Sequence, residues 1–310
     1  MSNTAAMIGA GLIGRSWSMV FARAGWNVRL YDSDPRQLTH ARDYIAASLA
    51  DQERAGLCSN ARDAAARIAY VEAIDDAVVD ADWLHEHLPE RVDLKREIFA
   101  RLDKIASDAA ILASSTSAIP ASQFTEDLRG RARCLVAHPV NPPHLVPIVE
   151  LCGAPWTSPA TIDRAYALMN DVGQVPIVVR REVDGFILNR LQGALLTEAM
   201  RLVSDGYVSP QDLDKTIKDG LGLRWSFMGP FETIELNAPG GVADYCARYS
   251  GFYRRLASDP PRPDVWEAEN AARVVAELVA PLTSAQRDER TRRRDRRLLA
   301  LRAHKNAQTE

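Results

Sequence analysis

The stretch LVAHPVNPPHLVPIVEL, residues 135–151, brings two histidines, His138 and His144, close to one acid, Glu150. Three chemistries compete for such a set. A metal site is the first, but helical zinc motifs place ligands four apart on one face. Pro139, Pro142, Pro143 and Pro147 forbid a helix here. No further acid or cysteine clusters nearby to complete a shell, so no metal is expected. The second is general-base catalysis. Oxidising an alcohol by hydride transfer needs a group near neutral pKa to take the hydroxyl proton. Histidine has that value, about 6.5 when unperturbed. An acid on the other ring nitrogen fixes the tautomer and stabilises the imidazolium, and Glu150 is the nearest candidate. The third is a stiff loop with no chemical role, and spacing alone leaves this open.

A second constellation limits the choice. MIGAGLIGRSW places Gly9, Gly11 and Gly14 in GxGxxG spacing, after an apolar strand and opening a helix. Gly9 permits a tight turn, Gly11 admits the backbone to a pyrophosphate, and Gly14 lets helix pack on strand. The helix start, Leu12 and Ile13 included, offers free N–H groups and a favourable dipole to phosphates. Asp32 ends the next strand, where a carboxylate can accept hydrogen bonds from both ribose hydroxyls and repel a 2′-phosphate. NAD is therefore expected over NADP. Arg36 could soften that preference, but it lies past Pro35 and should face solvent.

The elements that must position these groups alternate. AAMIGAG, NVRLYD, ADWLHEHL, AAILASST, RCLVAHP and IVVRRE have strand character, and LIGRSWSMVFARAG and PRQLTHARDYIAASLADQERAG have helical character. Both helices end at glycines, Gly25 and Gly56. Alternation of this kind predicts an α/β fold with a mostly parallel, Rossmann-type doubly wound sheet. RCLVAHP should be one of its strands, which sets His138 just past a carboxyl end, where such sheets bind ligands. The preceding strand ends at ASSTS, bringing Ser114, Ser115 and Ser117 to the same rim. From about residue 184 the strands give way to helices, beginning with FILNRLQGALLTEAMRLVSDG. The expected division is 1–183, an NAD-binding domain, and 184–310, an all-helical domain for substrate and dimerisation. The long apolar helix predicts a homodimer.

Composition sets the outer bounds. The chain has 310 residues, 46% hydrophobic and 25% charged, with formal net charge −3, which excludes a whole-protein affinity for nucleic acid. The arginine-rich run QRDERTRRRDRRLLALRAHK contains interleaved acids and no aromatics, as a solvated helix would. Four scattered cysteines without a CxxC pair point to a reducing compartment. No leader is apparent before the first strand, and no apolar run reaches membrane-spanning length. A soluble cytoplasmic protein without membrane partners is expected.

Taken together, GAGLIG, SSTS, HPVNPP, VELCG and DGFILNRL resemble the 3-hydroxyacyl-CoA dehydrogenase superfamily. HPVNPPHLVPIVEL, NRLQGALLTEAMRLVSDGYVSPQDLD and GLGLRWSFMGPFETIELNA are similar to its lambda-crystallin branch, whose activity is L-gulonate 3-dehydrogenase. The match runs from about residue 5 to 255. It implies that His138, not His144, is the base and Glu150 its carboxylate partner. It implies Ser117 and Asn189 on the reacting oxygen, and Asn141, Glu90 and Lys95 near the nicotinamide. Ser115 stands where the superfamily often has asparagine, and its backbone can still serve the cofactor. Arg224, in the apolar, glycine-rich GLGLRWSFMGP, could fork onto a substrate carboxylate; a surface salt bridge is its plainer role. A small 3-hydroxy acid is expected, L-gulonate first. L-carnitine, for which Trp225, Phe227 and Phe231 could form a cage, and an acyl-CoA are alternatives. A crystallin-like protein that binds NAD without turnover is the non-enzymatic one.

Overall fold

The computed structural model describes residues 3–278 and 282–308. Eight strands form one sheet: β1 (Thr4–Ile8), β2 (Asn27–Tyr31), β3 (Ile68–Val71), β4 (Trp83–Glu86), β5 (Ile111–Ser114), β6 (Cys134–Pro139), β7 (Ile148–Gly153) and β8 (Val175–Val179). Their order is β3-β2-β1-β4-β5-β6-β7-β8. Neighbours run parallel throughout except β6 and β7, which are antiparallel. The order reverses at β1, and that switch point opens the crevice where doubly wound sheets bind ligands.

Helices α1 (Leu12–Arg23), α2 (Pro35–Arg54), α3 (Ala61–Ala66), α4 (Ile74–Val78), α5 (Val92–Ile105), α6 (Ser122–Thr125) and α7 (Pro159–Asp171) fill the connections. Each face of the sheet carries its own apolar cluster. Trp17, Phe21, Leu49 and Trp83 lie on one side, and Ile8, Phe99, Phe124 and Phe186 on the other, all buried. Burying a large apolar side chain contributes about 1.5–3 kcal/mol, so β1, β4, β5 and β6, buried at every position, are fixed in place. Gly25 and Gly56 follow α1 and α2 with φ of 90° and 74°, the left-handed stops that the sequence predicts.

Differences from expectation are local. β3 and β7 were not among the anticipated strands, and β8 starts at Val175, two residues ahead of IVVRRE.

The chain divides into two compact units, Met1–Arg190 with Ala285–Glu310, and Leu191–Ser284. Helix α8 (Leu188–Ser204) begins in the first. The second holds the rest of α8 with α9 (Pro210–Lys215), α10 (Gly222–Trp225), α11 (Pro230–Leu236), α12 (Gly241–Ala257) and α13 (Ala268–Glu277). The contact grouping differs from 184–310 at its end, because α14 (Ser284–Asn306) from Ala285 onward falls in the first unit. There Arg302, half-buried, donates from Nη2 to the Gly173 carbonyl at 2.9 Å, while the helix, with none of its residues buried, is otherwise solvated as the sequence predicts. The rest of its basic face is exposed, with Arg292 and Arg296 paired to Glu289.

Candidate active site

β6 and β7 form an antiparallel pair in which His138 stands opposite Glu150. Directly opposed side chains lie close enough to interact, and His138 Nδ1 meets Glu150 Oε2 at 2.8 Å. His138 is 5% exposed and Glu150 1%. An ionised carboxylate only accepts, so Nδ1 carries the proton and Nε2 keeps its lone pair. The other carboxylate oxygen, Oε1, accepts the Ile187 and Leu188 backbone N–H groups at 2.9 and 3.0 Å. The chain reaches these amides through Gly185 and Phe186, with φ of 74° and 48°. For a bulky residue the left-handed region costs about 1–2 kcal/mol. Phe186 is wholly buried, its ring centroid 5.6 Å from that of His138.

His144 is elsewhere. Its Nε2 lies 3.3 Å from Ser48 Oγ on α2, and its carbonyl accepts from Arg23. Burial, aided by Arg23 and Arg302, pushes its pKa down to about 3, leaving it neutral. Among the described residues no group of three His, Cys, Asp or Glu could hold a metal ion.

Ser117 and Asn189 come together, Asn189 Nδ2 donating to the Ser117 carbonyl at 2.9 Å. Glu90 clasps the same turn, accepting from Thr116 Oγ1 at 2.7 Å and from Ser117 Oγ at 2.8 Å. These bonds, with the Ser117 N–H and nearby Lys95, outweigh burial and hold its carboxyl below the usual range. The Ser117 hydroxyl thus donates its hydrogen bond to Glu90, while the second Asn189 N–H has no partner among the described residues.

Lys95 is paired deep in the sheet. Its ammonium, 1% exposed, lies 3.0 and 2.9 Å from the two oxygens of the fully buried Glu86. A buried charge demands such a partner, and Lys95 stands behind Glu90, 4.0 Å away. Ser115 Oγ is held between His87 Nδ1 and His85 Nε2, both at 2.9 Å. Both rings are kept neutral by burial, His85 with its pKa pushed down to about 3. Asn141 is exposed after β6 and makes no side-chain hydrogen bond among the described residues. Arg224, exposed on α10, forms no ion pair among them.

The glycine turn fits a dinucleotide. A Cβ on Gly14 would stand 1.9 Å from the Gly9 carbonyl oxygen, whereas one on Gly11 would meet nothing within 4 Å. The first closes the turn; the second leaves room for a pyrophosphate. No side chain caps α1 and no acid occupies its first turn, so its amides are available to an anion. Asp32 Oδ2 accepts from Ala10 N at 2.8 Å and Oδ1 from Asp34 N at 2.9 Å, tying β2 to the turn. Arg36 is exposed and paired with Asp34.

Residues 4–183 match the 3-hydroxyacyl-CoA dehydrogenase NAD binding domain, and residues 185–270 the C-terminal domain of the same family. The chain belongs to the 3-hydroxyacyl-CoA dehydrogenase family. It is an NAD-dependent dehydrogenase on the lambda-crystallin branch. It is 48% identical to the lambda-crystallin homolog of Bos taurus, over 84% of this chain and 82% of that one. It is also 36% identical to an L-carnitine dehydrogenase of Pseudomonas sp, over 96% and 92%. Among solved structures, 5-formyl-3-hydroxy-2-methylpyridine 4-carboxylic acid 5-dehydrogenase, an NAD+ dependent dismutase, superposes with a TM-score of 0.87 at 27% identity, covering 100% of both chains.

The Ile187 and Leu188 amides, Phe186 and Thr116 were not among the sequence candidates. The DGF triplet before a helical run was the available signal, since glycine there marks a left-handed turn.

Proposed function

We propose that this dehydrogenase oxidises the 3-hydroxyl of a small hydroxy acid with a free carboxylate, L-gulonate being the favoured substrate. The observation that carries this is the buried His138–Glu150 pair, with its second carboxylate oxygen already held by two amides. When bound, NAD accepts the hydride. His138 Nε2 takes the hydroxyl proton, and Glu150 stabilises the resulting imidazolium without itself being protonated. Asn189 offers its free N–H to the oxygen as charge builds there, and Ser117 serves the same oxygen by redirecting its proton from Glu90. Asp32 holds the ribose, the α1 amides with Leu12 and Ile13 the pyrophosphate, and Glu90, Asn141 and the Ser115 backbone the nicotinamide end.

A free acid is favoured over a thioester because Arg224 has no carboxylate partner among the described residues, and because the dismutase that superposes so well acts on a carboxylic acid. L-carnitine is a second reading, supported by a dehydrogenase match that includes the tail. We also propose a homodimer, since Leu191, Tyr207, Phe231 and Leu236 leave well over half of their surfaces exposed on the helical unit.

NADH formation with L-gulonate, L-carnitine, 3-hydroxybutyrate and its CoA thioester tests the assignment. L-Gulonate should give the highest kcat/KM. Cofactor binding without NADH from any of the four would leave a crystallin-like protein. Arg224→Ala should raise KM for the acid about tenfold while leaving its methyl ester unaffected; equal effects on both would return Arg224 to the surface.

A further inference from the structure

The mechanism above uses Glu150 but not the segment that holds it. Two amides of one chain segment converge on a single carboxylate oxygen, Ile187 N at 2.9 Å and Leu188 N at 3.0 Å. They can do so only because the backbone turns left-handed twice in succession, at Gly185 (φ 74°) and then at Phe186 (φ 48°). Glycine adopts that conformation freely; phenylalanine does not. Besides Phe186, Asp80 alone among the described non-glycine residues has positive φ. Strained backbone of this kind persists where the surroundings over-determine it, and it collects at functional sites. Here the surroundings are visible. The Phe186 ring is wholly buried in the apolar cluster on one face of the sheet and lies 5.6 Å from the His138 ring, tilted by 36°.

We propose that Phe186 is a positioning residue whose left-handed backbone aims the Ile187 and Leu188 amides at Glu150, and whose ring seals the His138–Glu150 pair from water. This rests on the His138–Glu150 assignment made above. The amides stabilise the pair more when it carries a net negative charge than when His138 has taken a proton and the pair is neutral. Losing them therefore favours the protonated pair, and the acid limb of kcat/KM moves to higher pH. Cys152 on β7 is a titratable group that feels both Glu150 and Glu182, the latter after β8. Glu182 accepts from the Ser122 amide, and neither residue bonds to the pair among the described residues.

The test compares Phe186→Ala with Phe186→Gly. Both delete the ring, but only glycine keeps the left-handed turn without strain. The proposal expects the alanine acid limb to lie roughly one pH unit above that of glycine, a tenfold change in proton affinity. Leu188→Pro tests the amides directly. Leu188 is the first residue of α8, where proline is tolerated, so the helix is kept while the N–H is lost together with the leucine side chain. Its acid limb should also rise, while NAD binding, measured by fluorescence titration, is unchanged. Coincident limbs for alanine and glycine would overturn the role of the Phe186 backbone. A Leu188→Pro limb identical to wild type would overturn the role of the amides, even if the alanine variant failed to accumulate. Failure of the underlying assignment has a separate signature: full activity in His138→Asn.

Discussion

His138 and His144 leave the same proline-rich stretch six positions apart, are both almost fully buried, and end in opposite electrostatic settings. His138 faces a carboxylate at 2.8 Å whose far oxygen is held by two backbone amides. His144 faces a serine hydroxyl at 3.3 Å and a cluster of arginines. Burial alone discourages an imidazole from taking a proton. In the proposed mechanism, what suits one of two buried histidines to act as a base is an anion that shares the burial, so the partner decides and not the depth.

The widest separation between the two should appear in turnover. His138→Asn is expected to lower kcat by roughly a hundredfold or more with NAD still bound, while His144→Asn leaves kcat within about a factor of two. Steady-state kinetics on both variants checks this, and comparable losses would erase the distinction. Glu150→Gln comes next, at roughly tenfold or more in kcat/KM. Its amide can donate to Nδ1, push the proton onto Nε2 and leave the base without a lone pair.

How much of this was legible beforehand differs from residue to residue. The glycine turn was, because a fingerprint between strand and helix needs only local order. His138 and Glu150 were named, yet β7 was not, because four prolines obscured the two apolar runs that flank them. A hairpin with its histidine and acid in opposed positions would have supplied the physical reason for their spacing. Phe186 was illegible in principle, since a left-handed phenylalanine contradicts local preference and is set by packing far along the chain. Lys95 shows what a resemblance leaves unsaid about a residue's partners. The position matched, but Glu86 lies on another element, and only the fold shows that the ammonium is spent on it. The basic tail is a solvated helix as its interleaved charges predict, but charge along a helix does not say which unit the helix joins.

His144 should reveal itself in stability rather than rate. Its folded pKa is pushed down to about 3 from 6.5, so below pH 6.5 the unfolded chain binds a proton that the folded chain refuses. Its effect is absent above that value and destabilises progressively as pH falls towards 3. At pH 5 the penalty is about 2 kcal/mol. His144→Gln should therefore lose about that much less stability than wild type between pH 7 and 5, as urea denaturation at the two values would measure. His85, shifted in the same direction and to a similar value, remains in both proteins and cancels in the difference. Parallel losses in the two proteins would mean that His144 is protonated in the folded state.

The smallest effect is expected from Ser48→Ala, which takes away the partner of His144 as Glu150→Gln takes away that of His138. A neutral hydrogen bond contributes about 1 kcal/mol net, and this one is long at 3.3 Å and is shared with Gln52, whose Nε2 lies 3.4 Å from the same hydroxyl. Melting should thus fall by the equivalent of about 1 kcal/mol or less, with kcat and its pH profile unchanged. The contrast with Glu150→Gln is the informative quantity: removing a neutral partner should touch stability alone, and removing a charged one chiefly the chemistry. A Ser48→Ala enzyme with a displaced acid limb would couple His144 to the reacting centre, and the two histidines could no longer be treated as independent groups.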